Sequence, residues 1–134
     1  RRHPPLCAEE SGGRVSGALS AACHCGAVRV TIPTAPDYIN DCNCSLCIKH
    51  GATWGYFKRT EVEITGDRIG SYVHARMADP FVRLHFCTGC GCTTHCVALD
   101  DAIDWACVNA RLFEPDEMAA VEVRHPDGRG WIRG

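Results

Sequence analysis

Apolar and polar residues alternate along much of the chain, in short runs broken by glycine, proline and asparagine. Residues 27–32 place Val28, Val30 and Ile32 on one face and Arg29 and Thr31 on the other. That period of two marks a half-buried strand, and Pro33 ends it. Tyr38, Ile39 and Asn40 read as a short strand. Residues 54–57, 62–65 and 69–74 read as three more, the last two joined by a turn at Gly66-Asp67-Arg68. Residues 81–86 alternate again and deliver the chain to Cys87. Further apolar runs lie at 97–99 and 105–109, and 121–123 reads as a last strand. Helical signals are few. Residues 45–50 predict one turn closed by Gly51 as its C-cap. Pro115 followed by Asp116 and Glu117 predicts a helix start running to Ala120, because proline suits the first helical position and acidic groups suit its free amides. No period repeats. The pattern predicts a mainly β chain of small antiparallel sheets with few short helices.

The flanks differ from this middle. Residues 1–17 hold Pro4-Pro5, Glu9-Glu10 and Ser11-Gly12-Gly13 and predict a flexible tail, with Cys7 a free thiol. Residues 125–134 are rich in Gly and Arg and predict a second mobile tail, although Trp131 could pack back. Between them, 18–124 form one domain, an ordinary size for 134 residues. Net charge is −2 and the basic residues are scattered, which argues against nucleic-acid or anionic-membrane partners. No apolar run approaches the ~20 residues of a membrane span. No apolar segment follows Arg1-Arg2, so no secretory signal is expected.

Eleven cysteines change the picture. Most lie one or two residues from another: Cys23-His24-Cys25, Cys42-Asn43-Cys44-Ser45-Leu46-Cys47, and Cys87-Thr88-Gly89-Cys90-Gly91-Cys92. Sulfurs that close converge readily on one ion but staple distant chain poorly. The odd total also leaves one thiol over in a disulfide scheme. Metal in a reducing, cytoplasmic setting is therefore expected. Cys87-x-x-Cys90-Gly91 after a strand is a zinc-knuckle pattern. Its redox alternative calls for a helix beginning at the first cysteine, and Thr93-Thr94 favour a strand instead. A knuckle supplies two ligands where a closed zinc site needs four. Cys23 and Cys25, again followed by Gly, are the natural complement. Cys42, Cys44 and Cys47 are then left with three thiolates and an open position. Open zinc sites take water or substrate. Three thiolates make a weak Lewis acid, so the expected chemistry is ionisation of an incoming thiol. The alternative is that Cys92 or Cys96 folds back as the fourth ligand, which would close both sites.

The three motifs, in this order, resemble the glutathione-dependent formaldehyde-activating (GFA) family, to which centromere protein V-like zinc proteins are related. Gly66-Asp67, Tyr72 and Val108-Asn109-Ala110-Arg111 fall where that family places similar residues. The resemblance runs from about Ala18 to Glu114. It implies a zinc-containing β-tent, a structural zinc on Cys23, Cys25, Cys87 and Cys90, and a second zinc on Cys42, Cys44 and Cys47. It also implies a carbon–sulfur lyase that adds glutathione to formaldehyde to give S-(hydroxymethyl)glutathione. Its partners would be a small thiol and an aldehyde, and the assembly a monomer or homodimer. The alternative function is a non-catalytic zinc module of the same fold.

Other residues admit two readings each. His95 is a candidate general acid, or a histidine supporting a zinc thiolate. Lys49 and His50 could hold a glutathione carboxylate or lie on a solvated turn. Asn43 could orient the ligands beside it or support tight backbone. Trp54, Tyr56 and Phe57 could wall a substrate pocket or fill the core.

Overall fold

The computed structural model describes residues 17–132, and the side chains of 131 and 132 are outside that description. The expected N-terminal tail lies outside the described residues save for Gly17, as do Cys7 and the side chain of Trp131. Among the described residues there are ten strands: β1 (Leu19–Ala22), β2 (Arg29–Ile32), β3 (Tyr38–Asn40), β4 (Trp54–Phe57), β5 (Glu63–Thr65), β6 (Ile69–Val73), β7 (Val82–Cys87), β8 (Thr93–Ala98), β9 (Ala106–Asn109) and β10 (Glu122–Arg124). Three short α-helices accompany them among the described residues: α1 (Ser45–His50), α2 (Pro115–Met118) and α3 (Gly128–Ile132). The chain is mainly β, as the alternation predicts.

The strands form two sheets. One has the order β1-β2-β5 and the other β10-β3-β4-β9-β8-β7-β6. Every pairing among the described residues is antiparallel except β10 with β3, which is parallel. Val30 and Ile32 of the small sheet are fully buried in one core with Ile39, Val108 and Phe113 of the large sheet and its flank. Each such side chain contributes about 1.5–3 kcal/mol by leaving water. Neighbouring residues of a strand point to opposite faces. Val108 therefore faces the small sheet while Cys107 faces away from it, into a second core with Trp54, Leu84, Cys96, Cys44 and Cys47. A third cluster, Cys23, Val28 and Cys87, forms where the start of β2 meets the end of β7.

Four details depart from the sequence-based expectation. Leu19–Ala22 is a strand although it carries no β-branched residue; pairing with β2 imposes it. Val97 and Ala98 of the apolar run at 97–99 end a longer strand, β8, which begins at Thr93 and whose first four residues are buried. The edge strand β10 runs parallel to β3, which no local pattern encodes. Finally, the segment after Arg124 contains a short helix, Gly128–Ile132, bonded to Asn43. It turns back, and α3 lies against the three-cysteine motif.

Candidate metal centres and the adjoining cavity

Two groups of sulfurs converge. Those of Cys23, Cys25, Cys87 and Cys90 lie within 4.8 Å of one another, and so do those of Cys42, Cys44 and Cys47. Zinc–sulfur bonds of about 2.3 Å in a tetrahedron separate sulfurs by about 3.8 Å. Cys23 and Cys25 sulfurs are 3.8 Å apart, Cys25 and Cys87 3.6 Å, and Cys44 and Cys47 3.2 Å. Both donor sets thus fit a zinc-sized, thiophilic ion. No disulfide links the ten described cysteines.

The first centre is built from two matching turns. After Cys25 and after Cys90 the chain turns through Gly26 (φ 85°) and Gly91 (φ 83°), conformations that side chains resist. Gly26 N–H donates to Cys23 O and Gly91 N–H to Cys87 O, which folds each cysteine pair onto itself. Backbone N–H groups then face the sulfurs: Val28 to Cys23 and Gly89 to Cys87, each at 3.3 Å. Such donors favour the thiolate. Backbone N–H groups near Cys90, those of Cys92 and Cys25, pull its thiol down to about 5. Against the backbone N–H of Ala27, which lowers it, Cys25 is pushed up to about 11 by hydrogen bonding with the Cys87 thiol, by desolvation and by hydrogen bonding with Cys23. A cation removes that conflict.

Cys92 stands beside this first centre, where its sulfur accepts from the His24 amide at 3.4 Å. It does not reach the second. That corrects one alternative for the missing fourth ligand. Cys96, the other, is buried in β8 directly across from Cys107 and is outside the group formed by Cys42, Cys44 and Cys47. His24 itself is exposed.

The second centre is local. Cys44 is the N-cap of α1, and its sulfur accepts the Cys47 amide at 3.4 Å. Gly51 closes the helix with φ 62°, so one turn holds both sulfurs in place. The Trp54 indole N–H donates to the Cys47 sulfur at 3.3 Å. Hydrogen bonding from Cys47 brings the Cys44 thiol down to about 5, against the cost of burial. Cys47 moves steeply upward for the converse reason, and Cys42 moves up through burial.

This centre opens on a cavity of about 260 Å³. Its floor is a cross-strand row fixed by register: Tyr56 pairs Cys107, Cys107 pairs Cys96, and Cys96 pairs Leu84. Trp54, Trp105 and Phe81 wall it. The alternation of β4 thus sends Trp54 and Tyr56 to this cavity, whereas Phe57 packs on the core between the sheets.

The far wall comes from the C-terminal segment. The Asn43 amide donates to Asp127 at 2.9 Å and accepts from the Arg129 backbone N–H at 2.8 Å. Arg129 Nε donates to the Asn43 carbonyl at 3.2 Å. Asn43 therefore ties the ligand loop to α3. Pro126 and Gly128 line the cavity, and any Cβ at 128 would collide with the Cys42 sulfur. No signal in the sequence marked Gly128 or this tie; both depend on where the tail returns.

His95 is placed elsewhere. It pairs His85 in register, and their rings stack at 4.3 Å. Alternation puts it on the face opposite Cys96, toward the small sheet, with Nδ1 bonded to Thr94 Oγ1 at 2.9 Å. Burial holds it down at about 3, so it is neutral. It does not line the cavity. Lys49 and His50 border a separate cleft with Tyr72, His74 and Arg76, and Arg111 borders another with Asp41.

No helix among the described residues is long and apolar enough to cross a membrane. No curated protein matches the sequence. A solved structure of a Rhodobacter sphaeroides protein is similar in fold, with a TM-score of 0.60 at 20% identity, covering 79% of this chain and all of that one. The family model described as "glutathione-dependent formaldehyde-activating enzyme" matches residues 18–124. With most of its length matched, and both cysteine groups inside the match, the chain belongs to the GFA family.

Proposed function

We propose that this protein is a zinc-dependent carbon–sulfur lyase that joins a thiol, glutathione or one like it, to a small aldehyde; with formaldehyde the product is S-(hydroxymethyl)glutathione. The carrying observation is the asymmetry of the two centres: four sulfurs at one, three at the other, and the incomplete one facing a cavity. The four-sulfur centre ties β2 to β7 and is structural. Bound at Cys42, Cys44 and Cys47, zinc supplies a position where an incoming thiol loses its proton. The chain's own groups do the rest. The Trp54 indole and the Cys47 amide spread the charge of the sulfurs. The apolar walls keep bulk water from the reacting carbon. Asn43 fixes the ligand loop against α3. The family match supports lyase chemistry, and the clustering of the cysteines, with all ten described ones free, supports a reducing, cytoplasmic setting.

Two zinc ions per chain are expected by metal analysis. Cobalt substituted for zinc gives a charge-transfer spectrum, and millimolar glutathione should perturb it through the second centre alone. A spectrum unmoved by glutathione would sink the lyase reading and favour a non-catalytic zinc module.

A further inference from the structure

The cavity is large and apolar for a one-carbon substrate. A cavity of roughly 150 Å³ lined by apolar groups takes up benzene, while a molecule the size of water needs only about 30 Å³. The 260 Å³ here leaves room for a ring beside the end of a thiol. It is lined by Trp54, Trp105, Phe81 and Tyr56, with Cys96 and Cys107 beside Tyr56 in the floor. Apolar, polarisable groups of this kind suit an aromatic or branched alkyl body.

One polar group in the wall is set to act on a carbonyl. Tyr56 Oη accepts a hydrogen bond from Asn40 Nδ2 at 3.0 Å. Asn40 is thereby the donor, and the phenol keeps its own proton for another acceptor. The ring packs against two others, those of Tyr38 at 5.8 Å and Trp105 at 5.7 Å between centroids. Burial pushes the phenol well above its ordinary value, so it remains a donor throughout the neutral range. Tyr56 and the three cysteines border the same cavity. Part of the wall, Pro126 and Gly128, falls beyond the residues that match the family.

We propose that the aldehyde carries an apolar, ring-sized group rather than being formaldehyde, and that Tyr56 is a catalytic residue that donates to its carbonyl oxygen. The inference rests on the thiol–aldehyde reading above and narrows its substrate. The thiol's proton leaves to solvent. Its sulfur bonds the carbonyl carbon as the C=O π bond opens. The oxygen takes the Tyr56 proton, and the phenolate regains one from water. The sum is thiol plus aldehyde giving hemithioacetal, with no oxidant or reductant.

The test uses acetophenone, an unreactive ring-bearing carbonyl, titrated into the zinc-loaded protein. Trp54 and Trp105 in the walls report binding by fluorescence quenching. Saturable binding is expected, with acetone failing to saturate. Tyr56→Phe, its zinc content and circular dichroism unchanged, should bind about tenfold more weakly through loss of one hydrogen bond. Val82→Trp, which fills the cavity, should not bind. In turnover with glutathione, benzaldehyde should exceed formaldehyde in kcat/KM, and Tyr56→Phe should lose most of kcat. If acetophenone does not bind while glutathione still perturbs the cobalt spectrum, the ring-sized substrate is refuted and the lyase reading stands. If Tyr56→Phe binds and turns over like wild type, the role of Tyr56 is refuted. A cobalt spectrum blind to glutathione removes both readings together.

Discussion

Loss of the two centres should affect stability unequally, because they close loops of very different length. The Cys25 and Cys87 sulfurs are 62 residues apart in sequence and 3.6 Å apart in space. A cross-link over such a loop removes chain entropy from the unfolded state worth about 4 kcal/mol on the loop-closure relation. That is a large part of the 5–15 kcal/mol that stabilises a typical domain. The unfolded chain cannot hold this four-ligand set together, so binding and folding are coupled there. Cys42, Cys44 and Cys47 lie within six residues of one another. They close no long loop, and the unfolded chain can also gather them around an ion, which cancels much of the linkage. Cys90→Ser should therefore lower the thermal midpoint by roughly 10–20 °C, at a few degrees per kcal/mol for a chain of this length. Cys47→Ser should cost well under half of that, mostly through the buried contacts of Cys47 with Trp54. The assay is circular dichroism melting at fixed free zinc, with one zinc ion expected in each variant by metal analysis. Equal destabilisation, or greater loss in Cys47→Ser, would refute the assignment of a structural role to the long-range centre.

Three further outcomes are expected. His95 has its pKa held below the unfolded value of 6.5, at about 3, so the folded state prefers it neutral. Its contribution is intact above pH 6.5 and is lost as pH falls, by about 2 kcal/mol at pH 5. Urea midpoints of wild type and His95→Gln should converge or cross on going from pH 7.5 to pH 5, and parallel pH dependences would contradict this. Gly128→Ala should weaken zinc at the second centre at least tenfold in competition with a chromophoric chelator, since the new methyl group meets the Cys42 sulfur; unchanged affinity would mean that α3 gives way freely. Asn43→Ala removes the side-chain bonds to Asp127 and Arg129, so trypsin should cut after Arg129 about fivefold faster, the equivalent of one net hydrogen bond of about 1 kcal/mol.

Much of the site was legible before any coordinates. Two cysteines with a following glycine make the same turn wherever they occur, because the turn needs a residue free at positive φ; Gly26 and Gly91 both adopt it. Cys44 and Cys47 meet because one helical turn brings them together, a spacing visible in the chain. Alternation marked Val28, Val30 and Ile32 as a buried face, and all three are fully enclosed. Local sequence thus determined the elements, the composition of both sulfur groups and the family. Tertiary structure decided the rest, for reasons that act across distance. Register set Cys107 against Cys96 and placed Tyr56 in the same row, so a cavity floor arose from residues that look like ordinary core. The parity of β8 turned His95 toward the other sheet while its neighbour Cys96 faced the cavity. Cys92 went to the first centre because the β7–β8 turn carries it there. The tail returned to Asn43 because a side chain 84 residues earlier offered it both a donor and an acceptor. Pairing between strands and long-range hydrogen bonds leave no periodic trace in sequence, so the walls around the open centre could be read only from the folded chain.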